Sequence, residues 1–492
     1  MAANSLKILF VSAEVSPFAK TGGLADVAGS LPKALKRLGH DVRIAMPKYK
    51  WINEEEYLLD YPVEMDHHLE TGIVKKTKLL KENNREIPVY LMESYKYYYR
   101  DSLYGYDDEA ERFNFFSKAV LNMLPQLDFK PDIIHCNDWQ TGMIPLSLKT
   151  KYAEDPFYNK IATLFTVHNL QYQGVFPKDT LCLVGLSDQY FSPELLEFYG
   201  KINFMKAGLL FADLLNTVSK KYAQEIQTPE YGEQLDGLLR KRAQDLYGIV
   251  NGIDYDEFNP ETDKFIYHNY SLATINEKKE NKKALQQEMG LPVSDMPLIG
   301  LTTRLVDQKG LDLVTDIFEQ VMDLGVQFVL LGSGEDHYQK TFAELKMKYP
   351  QQTAANIGFN VELAQKIYAG SDIFLMPSRF EPCGLSQMIS LRYGTIPLVR
   401  SVGGLADTIE DYNEHKGTGN GFVFKEYDAQ EFYNTITRAV GIYRNSPQVW
   451  QSLMERTMKY DFSWERSAKE YVDLYQKAME KKSESHNQRA AI

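Results

Sequence analysis

The sequence predicts an α/β protein built from two doubly wound, Rossmann-like domains. Three observations predict it. The chain has 492 residues, more than one domain usually holds. Short apolar runs alternate with helical stretches in both halves, the pattern of βαβ units and a parallel sheet. The pentapeptide Gly-Gly-Leu-Ala-Asp occurs at residues 22–26 and again at 403–407. Each copy follows an apolar run that reads as a strand and precedes a stretch that reads as helix. A glycine pair in such a turn lets backbone N–H groups approach an anion, and the helix N-terminus adds partial positive charge. Two such turns in two halves of the chain predict one ligand held between two domains.

In the first half, strands are expected at residues 8–11, 42–46, 89–92, 133–136, 162–167 and 214–218, with helices including 29–38 and 110–127. A second set of strands is expected at 298–302, 327–331, 354–358, 373–376, 396–399 and 421–424, with helices such as 311–324 and 361–369 between them. Asn251-Gly252 and Asn259-Pro260 punctuate the chain and set a boundary near Asp254. The expected domains are therefore residues 1–253 and 254–462. A segment at 463–492 follows, with a long helix over 464–481 and a polar tail without periodicity.

The net charge is −12, from 67 acidic and 55 basic residues. Such a surface repels nucleic acid and anionic membranes, so neither is an expected partner. The three cysteines, Cys136, Cys182 and Cys383, are far apart. They offer no metal-ligand spacing and no disulfide framework, which fits a reducing cytosol. No apolar run is long enough for a membrane span. The N-terminus runs straight into the first expected strand, without a leader. The expected location is cytoplasmic.

Several loops at strand ends carry chemistry. Arg304 and Lys309 follow the first strand of the second half. Two fixed cations at a sheet mouth suit a diphosphate; a solvated surface pair is the alternative. Gly332-Ser-Gly334 resembles the start of a dinucleotide fingerprint, but His337 stands where the third glycine would be. This argues against a nicotinamide or flavin cofactor and leaves contact with one nucleotide. Glu381 sits in the loop Ser378-Arg-Phe-Glu-Pro-Cys-Gly-Leu-Ser386. Carboxylates bind sugar hydroxyls and stabilise oxocarbenium-like transition states; helix capping is the alternative role. Lys20, Asp138 and His168 each follow a different first-half strand, a combination that points to a site.

Taken together, these residues resemble the bacterial glycogen synthase and plant starch synthase family of glycosyltransferases. The matching pieces are Lys20-Thr-Gly-Gly-Leu-Ala-Asp26, His135-Cys-Asn-Asp-Trp139, Thr166-Val-His-Asn-Leu-Gln-Tyr-Gln-Gly174, Val250-Asn-Gly-Ile-Asp254, and the stretches 304–310, 377–385 and 403–408. The resemblance implies a GT-B-type fold, with two domains facing across a cleft and a C-terminal helix crossing back to the first. It implies transfer of glucose from ADP-glucose to the 4-hydroxyl at the non-reducing end of an α-1,4-glucan, with retention and with neither metal nor other cofactor. By position, Arg304 and Lys309 would hold the diphosphate, and Glu381 the donor glucose, with His168 near the reacting sugar. Lys20, Gly22, Gly23, Gly332, Gly384, Leu385 and Ser386 would contact the donor. Glu14, Asp138 and Asn169 would lie on the acceptor side.

Related retaining transferases often carry two glutamates spaced E-x7-E, but here the second position is Ile389. A double displacement then lacks an obvious nucleophile, and a front-face mechanism is expected. The aromatic segment 95–106 offers rings for glucan stacking, with packing as the alternative. Two other readings stay open: the same reaction with UDP-glucose, and a catalytically silent glucan-binding protein. Oligomeric state is not legible in the sequence.

Overall fold

The structure, a computed structural model, describes residues 5–53, 55–65, 68–79 and 86–490. The chain forms two compact units. The first gathers the residues up to Val218, residues 223–252 and the segment from Trp464 onward. The second comprises residues 219–222 and 253–463.

The main sheet of the first unit contains β1 (Lys7–Val11), β2 (Asp41–Pro47), β3 (Glu56–Met65), β4 (His68–Leu79), β5 (Ile87–Glu93), β6 (Ile133–Asn137) and β7 (Ala162–Val167). A small antiparallel sheet of β8 (Val175–Pro177), β9 (Glu197–Phe198) and β10 (Lys201–Asn203) intervenes before β11 (Leu214–Thr217) and β12 (Leu246–Gly248) complete the main sheet. Its order is β12-β11-β7-β6-β1-β2-β5-β4-β3. It is parallel from β12 to β5, and β7 is buried along its whole length. Burial on both faces is why such strands read as continuous apolar runs.

The hairpin β3–β4 is an antiparallel extension where the sequence predicts no strand. Along β3 only Tyr61, Val63 and Met65 are buried, on one face. The other positions mix Glu and Asp with Tyr57, Leu58, Leu59 and Pro62, none of them buried, so no clean alternation marks the strand.

The helix Trp464–Ala490 belongs to the first unit and packs on the helix Gly23–Arg37 and on β7. Gly252 permits the junction, because a Cβ there would lie 2.6 Å from the Trp464 backbone nitrogen. Tyr475 OH bonds His135 Nδ1 on β6 at 2.8 Å, and Asn216 on β11 donates to Tyr471 OH at 3.0 Å. The polar tail expected from Lys481 is helical to Ala490. Its Lys, Glu, Gln and Arg are good helix formers, so polarity alone does not end a helix.

The second unit holds β13 (Leu298–Leu305), β14 (Gln327–Gly334), β15 (Thr353–Ile357), β16 (Ile373–Met376), β17 (Ile396–Arg400) and β18 (Phe422–Phe424), all parallel, in the order β15-β14-β13-β16-β17-β18. Ile299, Leu301, Phe328, Leu330, Ile373 and Leu398 form its core with flanking helices. The helix expected over 311–324 is two pieces, Leu311–Asp316 and Phe318–Asp323, interrupted at Ile317.

Each sheet reverses its winding once, between β6 and β1 and between β13 and β16. Ligands bind open α/β sheets in the crevice outside the carboxyl ends of such neighbouring strands. These two places position the candidate residues.

Candidate active site

In the first unit, the loops after β1, β6 and β7 meet at the carboxyl edge of three adjacent strands. The loop after β1 is folded around Glu14, which is buried. Its carboxylate accepts from Thr21 N at 2.5 Å, Thr21 Oγ1 at 2.7 Å and Tyr104 OH at 2.8 Å. That arrangement presents Lys20, Gly22 and Gly23 at the exposed start of the helix Gly23–Arg37. A Cβ on either glycine would meet nothing within 4 Å, so the turn is open to a ligand. Lys20 Nζ pairs with Asp26 at 2.6 Å, within the same motif.

Asp138 follows β6 with φ 56° and ψ −179°, a backbone region that almost only glycine adopts. The strain is held by bonds on both sides. Asp138 N donates to Thr166 O at 2.9 Å, and its carboxylate accepts from His168 N at 2.7 Å. Burial pushes Asp138 up to about 7, with the Glu14 charge adding and the His168 and Asn169 backbone N–H groups opposing. His168 is buried, and burial pushes its imidazole down to about 3, so it is neutral at pH 7. Asn137 Nδ2 donates to Val11 O and His135 O, so its Oδ1 is the acceptor facing His168 Nε2 at 2.9 Å. The His168 proton is therefore assigned to Nε2, leaving a lone pair on Nδ1. Asn169 is half-buried, and its Oδ1 accepts from Gln171 N in a local turn.

In the second unit, a pocket with about 370 Å³ of empty space opens at the β13/β16 reversal. Lys309, Ser378, Glu381, Gly384, Leu385 and Ser386 are among its lining residues. Lys309 Nζ reaches Glu381 Oε2 at 2.6 Å, and Ser378 Oγ donates to the same oxygen at 3.1 Å. Gly310 makes the approach possible. Its φ is +68°, and a Cβ there would lie 2.0 Å from the Pro377 carbonyl oxygen. Arg304 is exposed and donates to the Gln308 side-chain oxygen at 3.3 Å. One cation is thus held against the carboxylate while the other stands exposed. Gly384 (φ +73°) turns the chain into the helix Ser386–Arg392, which no side chain caps. Thr302 donates to Tyr368 OH at 3.1 Å, and Tyr368 OH bonds Ser386 Oγ at 2.8 Å, fixing the pocket wall.

The glycogen synthase of Moorella thermoacetica is 61% identical over 477 residues, covering 97% of this chain and 98% of that one. The chain belongs to the glycogen and starch synthase family. Residues 7–241 match the starch synthase catalytic domain, and residues 283–448 match the glycosyl transferases group 1 family. The glycogen synthase of Desulforudis audaxviator is 57% identical over 99% of both chains. The catalytic domain of starch synthase IV from Arabidopsis thaliana, solved bound to ADP and acarbose, superposes with a TM-score of 0.90 at 36% identity, over 97% of this chain and all of that one. The fold is of the GT-B type, and the protein is a glucosyltransferase of this family.

The structure departs from the sequence reading at three places near the site. Arg304 lies inside β13 rather than after it, because pairing with β14 runs on to Leu305 and Gly334. Gly332 and Gly334 end β14 rather than following it, and their bare Cα atoms lie against Thr303 and Leu305. The second Gly-Gly turn is closed to an anion on its Gly404 side, since Gly404 N–H donates to the Glu381 and Pro382 carbonyls. Cβ atoms at Gly403 and Gly404 would lie 1.9 Å from Glu381 O and 2.1 Å from Cys383 O. That pair of glycines braces the Glu381 loop. Thr21, Asn137 and Ser378 join the site without a signal of their own in the sequence. Phe359 also joins the candidates. It is 85% exposed just beyond β15, and its neighbour Gly358 donates to Gly332 O at 2.8 Å.

Proposed function

We propose that the protein transfers glucose from ADP-glucose to the 4-hydroxyl at the non-reducing end of an α-1,4-glucan, with retention of configuration. The observation that carries this reading is the Lys309–Glu381 pair in the second-unit pocket, set in a chain of the synthase family. The ADP and acarbose bound to the starch synthase IV domain support a nucleotide donor and an α-glucan acceptor.

The roles follow from the chemistry. Arg304 and Lys309 neutralise the diphosphate as it departs, electrostatic stabilisation by preorganised cations. Glu381 orients the donor sugar. Backbone N–H groups at Gly384 and Leu385, with the Ser386 hydroxyl, hold donor oxygens. Gly332 lets the nucleotide approach the end of β14, and Phe359 stacks on the base. In the first unit, Lys20 with Gly22 and Gly23 forms a phosphate-binding helix start. His168, Asp138, Asn169 and Glu14 address sugar hydroxyls. Ile389 is buried, and Glu381 is the one carboxylate among the residues lining the pocket. This supports a front-face reaction in which the departing diphosphate itself accepts the acceptor proton. No metal is assigned to any step. Cys136, Cys182 and Cys383 form no disulfide among the described residues, which supports a reducing, cytoplasmic setting.

The test is glucose incorporation into glycogen from ADP-glucose and UDP-glucose in parallel. Incorporation from ADP-glucose is expected to fall about 100-fold or more in Glu381→Ala and in Lys309→Ala. A UDP-glucose preference would keep the reaction and overturn the donor. No incorporation from either would overturn the reading.

A further inference from the structure

Tyr368 stands in the helix Val361–Gly370, outside every motif of the sequence, yet its hydroxyl reaches the second-unit pocket. Thr302 and Ser386 line that pocket, and the buried Tyr368 bridges them, with Thr302 Oγ1 at 3.1 Å and Ser386 Oγ at 2.8 Å from its oxygen. The residue is pinned at both ends. Its carbonyl accepts from Thr395 Oγ1 at 2.5 Å and from Lys278 Nζ at 3.3 Å, and its ring lies against Phe374 with centroids 5.0 Å apart. Packing alone would be met by phenylalanine. The hydroxyl serves the two pocket residues.

Three hydroxyls in a row have two polarities. If Ser386 donates to Tyr368 and Tyr368 to Thr302, the Ser386 proton is used and only its lone pairs face the pocket. If Thr302 donates to Tyr368 and Tyr368 to Ser386, the Ser386 proton is left for a ligand. An anion at Ser386 selects the second polarity, and each bond in such a row strengthens the next. Burial raises the Tyr368 phenol above its ordinary value, with the bonds to Ser386 and Thr302 opposing, so it keeps the proton that this polarity needs.

We propose that Tyr368 is a positioning residue for the donor. It accepts a hydrogen bond from Thr302 Oγ1, donates one to Ser386 Oγ and so leaves the Ser386 proton aimed at a phosphoryl oxygen of the nucleoside diphosphate sugar. This rests on the reading of the pocket as the donor site. The relay adds a neutral donor to the Lys309 cation that lines the same pocket. It joins β13, the helix Val361–Gly370 and the start of the helix Ser386–Arg392, three elements far apart in the chain.

The experiment uses the full-length enzyme with Tyr368→Phe, Thr302→Val, Ser386→Ala and the double variant Tyr368→Phe/Ser386→Ala. A control removes another buried tyrosine hydroxyl, Tyr158→Phe, whose OH donates to Leu121 O in the first unit. Read are ADP-glucose KM, glycogen KM, inhibition by ADP and by adenosine, and melting temperature. Tyr368→Phe is expected to raise ADP-glucose KM and weaken ADP inhibition about tenfold. Thr302→Val is expected to act in the same direction. Glycogen KM and adenosine inhibition are expected to stay unchanged, and the control to match the parent. The double variant is expected to be no weaker for ADP than Ser386→Ala alone, because Tyr368 acts through that hydroxyl. Additive losses in the double variant overturn the proposal. So do unchanged ADP inhibition in Tyr368→Phe and equal losses for ADP and adenosine, the mark of a general change in the pocket. ADP binding by the parent without glucose transfer would overturn the glucan synthase reading and leave the relay to be judged on ADP affinity. Absence of ADP binding by the parent would overturn both.

Discussion

A methyl group at Gly404 would lie 2.1 Å from the Cys383 carbonyl oxygen, in the loop that carries Glu381. Gly404→Ala is expected to destabilise the protein by about 1–3 kcal/mol through overpacking and to lower kcat by displacing Glu381. Gly22→Ala, with nothing near its Cβ, is expected to leave thermal stability unchanged and to raise ADP-glucose KM. Melting curves and kinetics of the two variants check both. Asp138 gives a pH signature. In the folded state it keeps its proton to about pH 7, whereas the unfolded chain loses it near 3.8. Between those values the folded state binds more protons, so this group's contribution to stability falls as pH rises from about 4 to 7. Asp138→Asn should remove that slope, as read from denaturant midpoints across the range. Base stacking is tested at Phe359, where Phe359→Ala is expected to raise ADP-glucose KM about tenfold with kcat little changed.

The elements acting on the site are strands that end in it and a helix that reaches under it. His135 on β6 bonds Thr166 on β7 at 2.7 Å and Tyr475 of the last helix at 2.8 Å. Two and three residues further along those strands stand Asn137, Asp138 and His168. The terminal helix is thus bonded to the strands whose ends hold the first-unit candidate residues. Tyr475→Phe leaves a buried imidazole nitrogen without its partner and is expected to cost about 1–3 kcal/mol. Denaturant unfolding measures it. The strand positions were legible because strands buried on both faces are apolar throughout. The β3–β4 hairpin was not, because a sheet edge with one solvated face needs only a few buried side chains.

At the scale of the whole molecule, the chain leaves the first unit at Gly252 and returns at Trp464. The intervening residues carry a complete six-stranded sheet and the whole Lys309–Glu381 pocket. A fragment of residues 253–463 is expected to fold and bind ADP, as calorimetry would show. A fragment of residues 1–252 is expected to fail without the helix Trp464–Ala490, because β7 would lose its packing and His135 and Asn216 their bonds to Tyr475 and Tyr471. Co-expression of the helix segment should restore it. Failure of the first fragment to fold would show that the second unit depends on the rest of the chain.

By itself the sequence determined the two doubly wound sheets, the loops that carry the candidate residues and the family, since apolar periodicity and contiguous motifs are local properties. Only the tertiary structure decided that Lys309 meets Glu381 across 72 residues. It also decided that one Gly-Gly turn stays open while the other braces a loop, and that burial moves Asp138 and His168 in opposite directions. Those outcomes depend on strand order and desolvation, which arise from residues distant in the chain.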